Sequence, residues 1–487
     1  MMITIQELIV LFPFLIVLLT VIALLFSISC KRNHFNIYIM SVIGLLLSII
    51  SLYFVYQVVP IDISMLFYIN KVSVLYIGII LFSTLFSIIL AYSYLLNHIL
   101  HQEEFYLFLL FSTLGCMTVV ISNHMASLFI SIELMSLPLL GLVGYEYYQK
   151  KTLEAVLKYA ILSSIASSFL LLGIALIYSV SGDLSFISLG NYFNLSILKT
   201  EKIVLLLGFS FIVVSFAFKL SIIPFHLWTP DVYEGTSYTS LFFLSTVSKI
   251  TTFSILSRLL MYCPKKEIQL LYFILEVLAF FSIFFGNVMA LFQKRLKRLL
   301  AYASISHLGY LLIALVLINN SDISSEAIYI IFMSYILSSL IVLGLVNWMS
   351  IQYKMYDTDI FDFYRGLFWH NPIVAIILTI MMFSFAGLPM SVGFIGKFYL
   401  ILLTVNEQSL LLGLAIVLGS AIGFYYYLQI IINFYLTPLR YYNYNAVSFI
   451  QYSCCNILIL ILSLMVILLG LFPEYLIDLI KITKQYL

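Results

Sequence analysis

Four lysines stand inside long apolar runs where a charge has little solvation: Lys158, Lys219, Lys249 and Lys397. One acid and one histidine share that setting, Glu133 and His307. A lysine at a bilayer centre costs about 2.5–3.5 kcal/mol on insertion scales, so a chain that avoids charge elsewhere keeps such residues for a reason. Desolvation pushes an amine toward its neutral form, while a nearby carboxylate or water restores its charge. A group balanced in this way gains and loses a proton as its neighbours change. Coupled groups titrate as a set, so protonation of one site can discharge the next. These residue types point to proton relay. Glu133 is the carboxylate that would set the charge of Lys219, if the fold brings the two together.

The elements that must position them follow from composition. Of 487 residues, 63% are hydrophobic and only 9% charged, and the mean hydropathy is +1.14. A soluble domain carries roughly 25% charged residues. The apolar runs are continuous and lack period-two alternation, so they predict spanning helices rather than a barrel. With ~20 residues per span, the chain is expected to be an all-α polytopic membrane protein of about fourteen helices. The spans are placed at 8–29, 36–58, 72–96, 105–121, 123–147, 153–179, 203–224, 238–262, 268–291, 298–318, 324–349, 371–402, 407–436 and 452–480. Glu133 then lies near the midplane of the fifth span and Lys249 at similar depth in the eighth. Lys158 sits about two turns inside the sixth, where it can also snorkel to the edge. Arg258, near the end of the eighth span, is expected to snorkel as well.

Two of these spans carry breaks beside an ionisable residue. Lys219 precedes Pro224 in Phe218-Lys219-Leu220-Ser221-Ile222-Ile223-Pro224-Phe225-His226, and Lys397 follows Gly387-Leu388-Pro389. Proline removes a backbone donor and clashes with the preceding turn. Open backbone at membrane depth survives only inside protein or along a wet cavity. A broken helix beside a charge, once in each half of the chain, is the pattern of inverted-repeat transporters. His226, next to the first break, fits a cavity edge or a helix end.

Charge also sets orientation. With an even number of spans, the loops opposite the termini hold Lys31, Arg32, Lys150, Lys151, Lys294, Arg295, Lys297, Arg298, Lys354, Arg365 and Arg440. The terminal side holds Lys71, Lys199, Lys202, Lys265, Lys266, Lys481 and Lys484. Basic residues in short loops mark the cytoplasmic side, so both termini are expected to be periplasmic. The five cysteines, Cys30, Cys116, Cys263, Cys454 and Cys455, form no Cys-x-x-Cys pair and no metal-ligand spacing. No glycine-rich phosphate loop follows a strand. Neither a cofactor nor a metal is expected in this chain. The first apolar stretch, Leu8 to Ser29, is too long for a signal-peptide core and reads as a span.

Four motifs together resemble one family. They are Ser127-Leu128-Phe129-Ile130-Ser131-Ile132-Glu133-Leu134, the Phe218–Val232 stretch containing Pro-Phe-His-Leu-Trp-Thr-Pro-Asp, the stretch from Arg298 to Tyr310, and Gly387–Tyr399 with Gly-Phe-Ile-Gly-Lys-Phe. Along nearly its whole length the chain resembles the subunit N family of the NADH–quinone oxidoreductases, respiratory complex I. That resemblance implies two inverted five-helix repeats, each with a broken helix. It divides the chain into three N-terminal helices (1–104), a first repeat (105–262), a second repeat (263–440) and a C-terminal helix (441–487). It implies functional roles for Glu133, Lys219, Lys249 and Lys397, with His307 on a central hydrophilic axis. It further implies proton translocation coupled to quinone reduction elsewhere, with FMN, iron–sulfur clusters, NADH and quinone held by other subunits. The expected partners are neighbouring antiporter-like and small membrane subunits, and no nucleic acid. The chain departs from the family at Thr236-Ser237-Tyr238-Thr239, where relatives carry small residues and prolines. Fourteen spans favour a bacterial inner membrane, with the mitochondrial inner membrane as the alternative. Two rival readings share these residues: a subunit of a cation/proton antiporter or membrane-bound hydrogenase, and a structural subunit whose charges only hold helices together.

Overall fold

The computed structural model describes residues 5–96, 102–194, 199–263, 268–317, 322–353, 358–438, 454–475 and 477–478. Of the residues that set the expected orientation, Lys265, Lys266, Lys354, Arg440, Lys481 and Lys484 lie outside the described residues. A chain this apolar must satisfy its backbone within each segment, and it does so almost wholly as helix. The first half runs α1 (Ile5–Cys30), α2 (His34–Val58), α3 (Lys71–Leu95), α4 (Gln102–Ile121), α5 (Met125–Val143), α6 (Lys150–Ser181), α7 (Phe186–Asn194), α8 (Lys199–Lys219), α9 (Trp228–Gly235), α10 (Tyr238–Ser245) and α11 (Val247–Tyr262). Then come α12 (Gln269–Leu291), α13 (Leu296–Val316), α14 (Asp322–Gln352), α15 (Leu367–His370), α16 (Pro372–Ala386), α17 (Val392–Asn406), α18 (Leu410–Tyr435) and α19 (Cys454–Leu471). A short hairpin, β1 (Ile61–Ile63) with β2 (Phe67–Ile69), joins α2 to α3 in antiparallel register, Ile61 opposite Ile69.

Among the described residues, twelve stretches are long and apolar enough to cross a membrane, α10 and α11 counting together as one. The broken pair α16–α17 and the shorter α19 supply the remaining two of the fourteen expected spans. Helix ends follow local chemistry. Asn70 and Ser73 form a reciprocal capping box at the start of α3. Pro372 opens α16, where a missing N–H costs nothing.

The helices fall into two compact units. The first comprises Met1–Leu220 and Gly235–Phe273. Within it α6 packs along α8, α4 along α5, and α1 along α2. The α10–α11 span runs through its centre, touching α3, α4 and α8, and every residue of its most apolar stretch is buried. The outer helix α1 turns Leu15, Leu18, Leu19 and Ile22 outward, a surface that suits lipid.

The second unit comprises Ser221–Glu234 and Ile274–Ile482. Here α13 is the core helix, buried along its most apolar stretch and packed on α14, α17 and α18. The long α14 is almost as enclosed, between α16, α17 and α19. The short segment after Leu220, including most of α9, belongs to this unit although it follows directly on α8.

Candidate functional site

The innermost span of each unit carries an ionisable residue. Lys249 lies on α11, 1% exposed, and His307 on α13, 8% exposed. Placing the charge on the best-shielded helix maximises its cost, so neighbouring polar groups must offset it.

In the first unit, α8 ends on Lys219 itself. The break after it holds Ser221 at φ 56, a left-handed conformation that a serine adopts only under constraint. The Lys219 ammonium, at the carbonyl end of its own helix, is favoured there by the helix dipole. It donates to the Ser163 hydroxyl at 3.1 Å. Glu133 is half-buried on α5 and lies close enough to act on Lys219 electrostatically, but the two form no direct ion pair among the described residues. The Glu133 carboxylate instead accepts from Ser136 at 3.4 Å. Tyr159, buried one turn before Ser163 on α6, also lies within electrostatic reach of Glu133. The fold thus brings Glu133 and Lys219 into one neighbourhood and sets Tyr159 and Ser163 of α6 beside them.

Lys249 follows a break that its sequence does not announce. Thr246, at φ −111 and ψ −71, closes α10 and opens α11 without any proline or glycine. Its hydroxyl donates back to the Phe242 carbonyl at 2.6 Å, the kind of back-bond that bends helices. At Thr236–Thr239, where the chain departs from the family pattern, Ser237 caps α10 by accepting from the Ser240 N–H.

In the second unit, α16 stops at Gly387, whose φ of 80 is left-handed, and α17 starts after Ser391. The Lys397 side chain folds back into this gap. Its ammonium donates to the carbonyls of Phe385 at 3.0 Å and Ala386 at 2.8 Å, two of the acceptors that the end of α16 leaves open. The same ammonium stands 5.4 Å from the centre of the Tyr310 ring, within cation–π range. Lys397 is half-exposed as a residue, but this turns its charge inward. His307 packs against Phe385 at 5.4 Å, Tyr335 at 5.5 Å and Tyr310 at 6.0 Å between ring centres. Lys397 and His307 therefore share the Phe385–Tyr310 wall.

Two cations behave differently. Lys158 bonds Glu154 one turn back on α6 at 2.6 Å, on a side chain 39% exposed. Arg258 is held by backbone carbonyls at the end of α4 and in the hairpin. It donates to the Val120 carbonyl at 3.0 Å and to the Tyr68 carbonyl at 3.2 Å, and lies over the Tyr68 ring. Counting residues from a helix end could not reveal that the end of α4 and the hairpin would offer those carbonyls. His226 is half-buried near Tyr302, and its Nδ1 has no hydrogen-bond partner among the described residues. Among the described residues, no cluster of three or more His, Cys, Asp or Glu side chains could hold a metal.

With this geometry established, comparison with known proteins gives a consistent result. The family model described as NADH:quinone oxidoreductase/Mrp antiporter, TM, matches residues 122–423. NADH-quinone oxidoreductase subunit N of Buchnera aphidicola subsp. Acyrthosiphon pisum (strain APS) is 46% identical over 486 residues, covering 99% of this chain and all of the relative. The chain belongs to the subunit N family of NADH-quinone oxidoreductases. Respiratory complex I from Thermus thermophilus contains a chain that superposes with a TM-score of 0.79 at 25% identity, covering 96% of this chain and 98% of that one. An archaeal membrane-bound sulfane sulfur reductase (TM-score 0.85, 20% identity, 97% and 96% covered) and the Mrp complex from Dietzia sp. DQ12-45-1b (TM-score 0.81, 16% identity, 98% and 97% covered) share the fold.

As a member of this family, the chain is a multi-pass, antiporter-like part of the membrane arm of a proton-translocating NADH-quinone oxidoreductase, alongside other membrane subunits. The matched region begins before Glu133 and ends after Lys397, so it contains Lys158, Lys219, Lys249 and His307 as well. One cluster inside it lies beyond the expected site residues. Arg298 of α13 donates to Asp231 at 3.0 Å and reaches Glu234 at 3.4 Å, and Arg295 also pairs with Glu234. In the sequence those arginines counted only toward orientation. Their pairing with Asp231 and Glu234 fastens α9, the segment just beyond the Lys219 break, to the start of α13.

Proposed function

We propose that this subunit moves protons through Glu133, Lys219, Lys249, His307 and Lys397 while electrons pass from NADH to quinone in other subunits. The observation that carries the reading is that the breaks after α8 and after α16 each present an inward-turned lysine ammonium at a helix carboxyl end. Lys219 closes α8, and Lys397 caps α16. An ammonium so placed is stabilised by carbonyl dipoles and loses that support when the broken segment shifts, so movement of the break changes its hold on a proton. Approach of Glu133 to Lys219 favours the ammonium, and withdrawal favours release of a proton to a neutral amine such as Lys249. Each transfer conserves charge: the donor becomes neutral as the acceptor becomes cationic. Lys249 and His307 serve as intermediate carriers, and Lys397 as the exit-side donor. Lys158, bonded to Glu154 on a half-exposed side chain, takes a supporting place.

The membrane is a bacterial cytoplasmic membrane, with both termini periplasmic and the richer set of basic loops cytoplasmic. FMN, iron–sulfur clusters, NADH and quinone belong to other subunits, and the neighbours are antiporter-like and small membrane subunits. The test is Lys219→Ala in the assembled complex, reconstituted into vesicles. NADH oxidation should persist with fewer protons moved per electron. Wild-type pumping in that variant would end this reading.

A further inference from the structure

The last turn of α16 is held from two sides. Ser384, 2% exposed, stands one turn before Gly387. Its hydroxyl accepts from the hydroxyl of Ser338 on α14 at 3.0 Å, and Ser338 is fully buried. Its carbonyl accepts from the Gly387 N–H at 3.2 Å. The start of α17 presses on that same carbonyl so closely that a β-carbon on Gly393 would run into its oxygen. Directly after Ser384 come Phe385 and Ala386, whose carbonyls accept from the Lys397 ammonium at 3.0 and 2.8 Å.

Ser338 departs from the habit of its own helix. Ser334, Ser339 and Ser350 of α14 each donate to the carbonyl three residues back, at 2.8, 3.0 and 2.7 Å, the local bond that helical serines ordinarily make. Ser338 donates across to α16 instead. About two turns before it on α14, Ile331 meets the other half of the broken span: a β-carbon on Gly396 of α17 would stand 2.8 Å from Ile331 Cγ1. One helix thus touches both halves, α17 at Ile331 and α16 at Ser338. Between the halves, Gly387 at φ 80 and Met390 at φ 73 are left-handed, a conformation that strains a methionine.

We propose that Ser338 is a positioning residue for proton exchange at Lys397. Through Ser384 it ties the last turn of α16 to α14 and keeps the carbonyls of Phe385 and Ala386 aimed at the ammonium. The bond makes α16 the fixed half of the span and leaves α17, with its lysine, as the half that moves. Carbonyl acceptors favour the charged amine, so the firmness of that turn sets how readily Lys397 keeps its proton. This role rests on the reading that Lys397 exchanges protons, and its test keeps the two apart.

The titratable side chains around the ammonium are His307 and Tyr310 of α13. Tyr335 of α14 and Tyr427 of α18 stand behind the Phe385 ring. Glu326 of α14 lies near Tyr399, farther along α17. Neither α16 nor α19 contains an Asp, Glu, His, Lys or Arg. Ser338 and Ser384 carry no charge, so replacing them leaves this set of groups unchanged.

Protons moved per electron are measured across pH in vesicles carrying the whole complex as wild type, Lys397→Ala, Ser338→Cys, Ser384→Ala, and the last two combined. Cysteine nearly keeps the volume of Ser338 but donates only weakly. A loosened turn holds the ammonium less, so the pH at which the ratio falls to half its maximum should move down. The expected shift is about half a unit, the threefold change that an interhelical hydrogen bond in a membrane transmits, with NADH oxidation retained. The combined variant should shift no further than either single one, because both lose the same bond. Unshifted profiles in the serine variants beside a lowered ratio in Lys397→Ala would overturn the role of Ser338 alone. Additive shifts would overturn it too, since the serines would then act separately. A wild-type ratio in Lys397→Ala would overturn the reading of Lys397 and this role with it. The near-isosteric Ser338→Cys carries the test by itself if Ser384→Ala fails to assemble.

Discussion

The side chain of Lys397 occupies the space that a β-carbon on Gly387 would need. Such a carbon would fall 2.8 Å from Lys397 Cδ and 3.2 Å from its Nζ, on a residue whose φ of 80 already disfavours any side chain. The glycine that ends α16 is therefore also the seat of the ammonium that caps it.

That double role makes Gly387→Ala a sharp probe. The left-handed conformation alone costs about 1–2 kcal/mol with a β-carbon, and the methyl group displaces the ammonium from the carbonyls of Phe385 and Ala386. The complex should still assemble, with the proton-to-electron ratio reduced as in Lys397→Ala. Blue native electrophoresis and vesicle pumping read the two effects separately. Normal pumping would show that the cap does not matter to transfer.

Ser163→Ala removes the hydroxyl that Lys219 holds at 3.1 Å. A hydrogen bond to a charged group contributes ~1.5–3 kcal/mol, enough to change the population of the ammonium's position by more than tenfold. Proton transport at fixed NADH oxidation should fall, by less than in Lys219→Ala. Equal pumping in Ser163→Ala and wild type would remove Ser163 from the site.

The clamp between α9 and α13 yields a ranking. Glu234 faces both Arg295 and Arg298 with a side chain 14% exposed, whereas Asp231 faces Arg298 at 31% exposure. Loss of a partner from a shielded pair costs more than loss from a wet one. Glu234→Gln should therefore lower the thermal stability of the purified complex more than Asp231→Asn. The reverse order, measured by thermal unfolding, would mean that α9 is held by other contacts.

Arg258→Lys keeps the charge but not the fork. A guanidinium reaches the Val120 and Tyr68 carbonyls together, 3.0 and 3.2 Å away, and a single ammonium cannot reproduce that two-armed geometry. A loss of about 1–2 kcal/mol in stability is expected from one unmade bond to buried backbone. Unchanged unfolding would assign the hairpin's position to packing alone.

Much of this was legible in the sequence because charge and apolar runs conflict there. Lys219, Lys249, Glu133 and His307 stand out against their neighbours, and Pro224 and Gly387 mark two breaks by backbone chemistry alone. The break at Thr246 left no such mark, since neither a proline nor a glycine stands there. Ser163 was hidden for a related reason: one serine among many on α6 gains meaning only from the helix packed against it. Arg298 and Asp231 lie far apart in sequence, so only the fold shows that a residue read as an orientation signal is also a tether. The role of Ser338 depends on Ser384 of the helix packed against it, a relationship across helices that no spacing along one segment encodes.

Lys219→Arg tests most directly whether the lysine exchanges protons or only holds charge. Arginine remains cationic at every working pH, so it preserves a structural ion but cannot release a proton. Vesicles carrying the Lys219→Arg complex should oxidise NADH with a proton-to-electron ratio as low as that of Lys219→Ala. A wild-type ratio in Lys219→Arg would contradict proton exchange at Lys219 and leave it a structural charge.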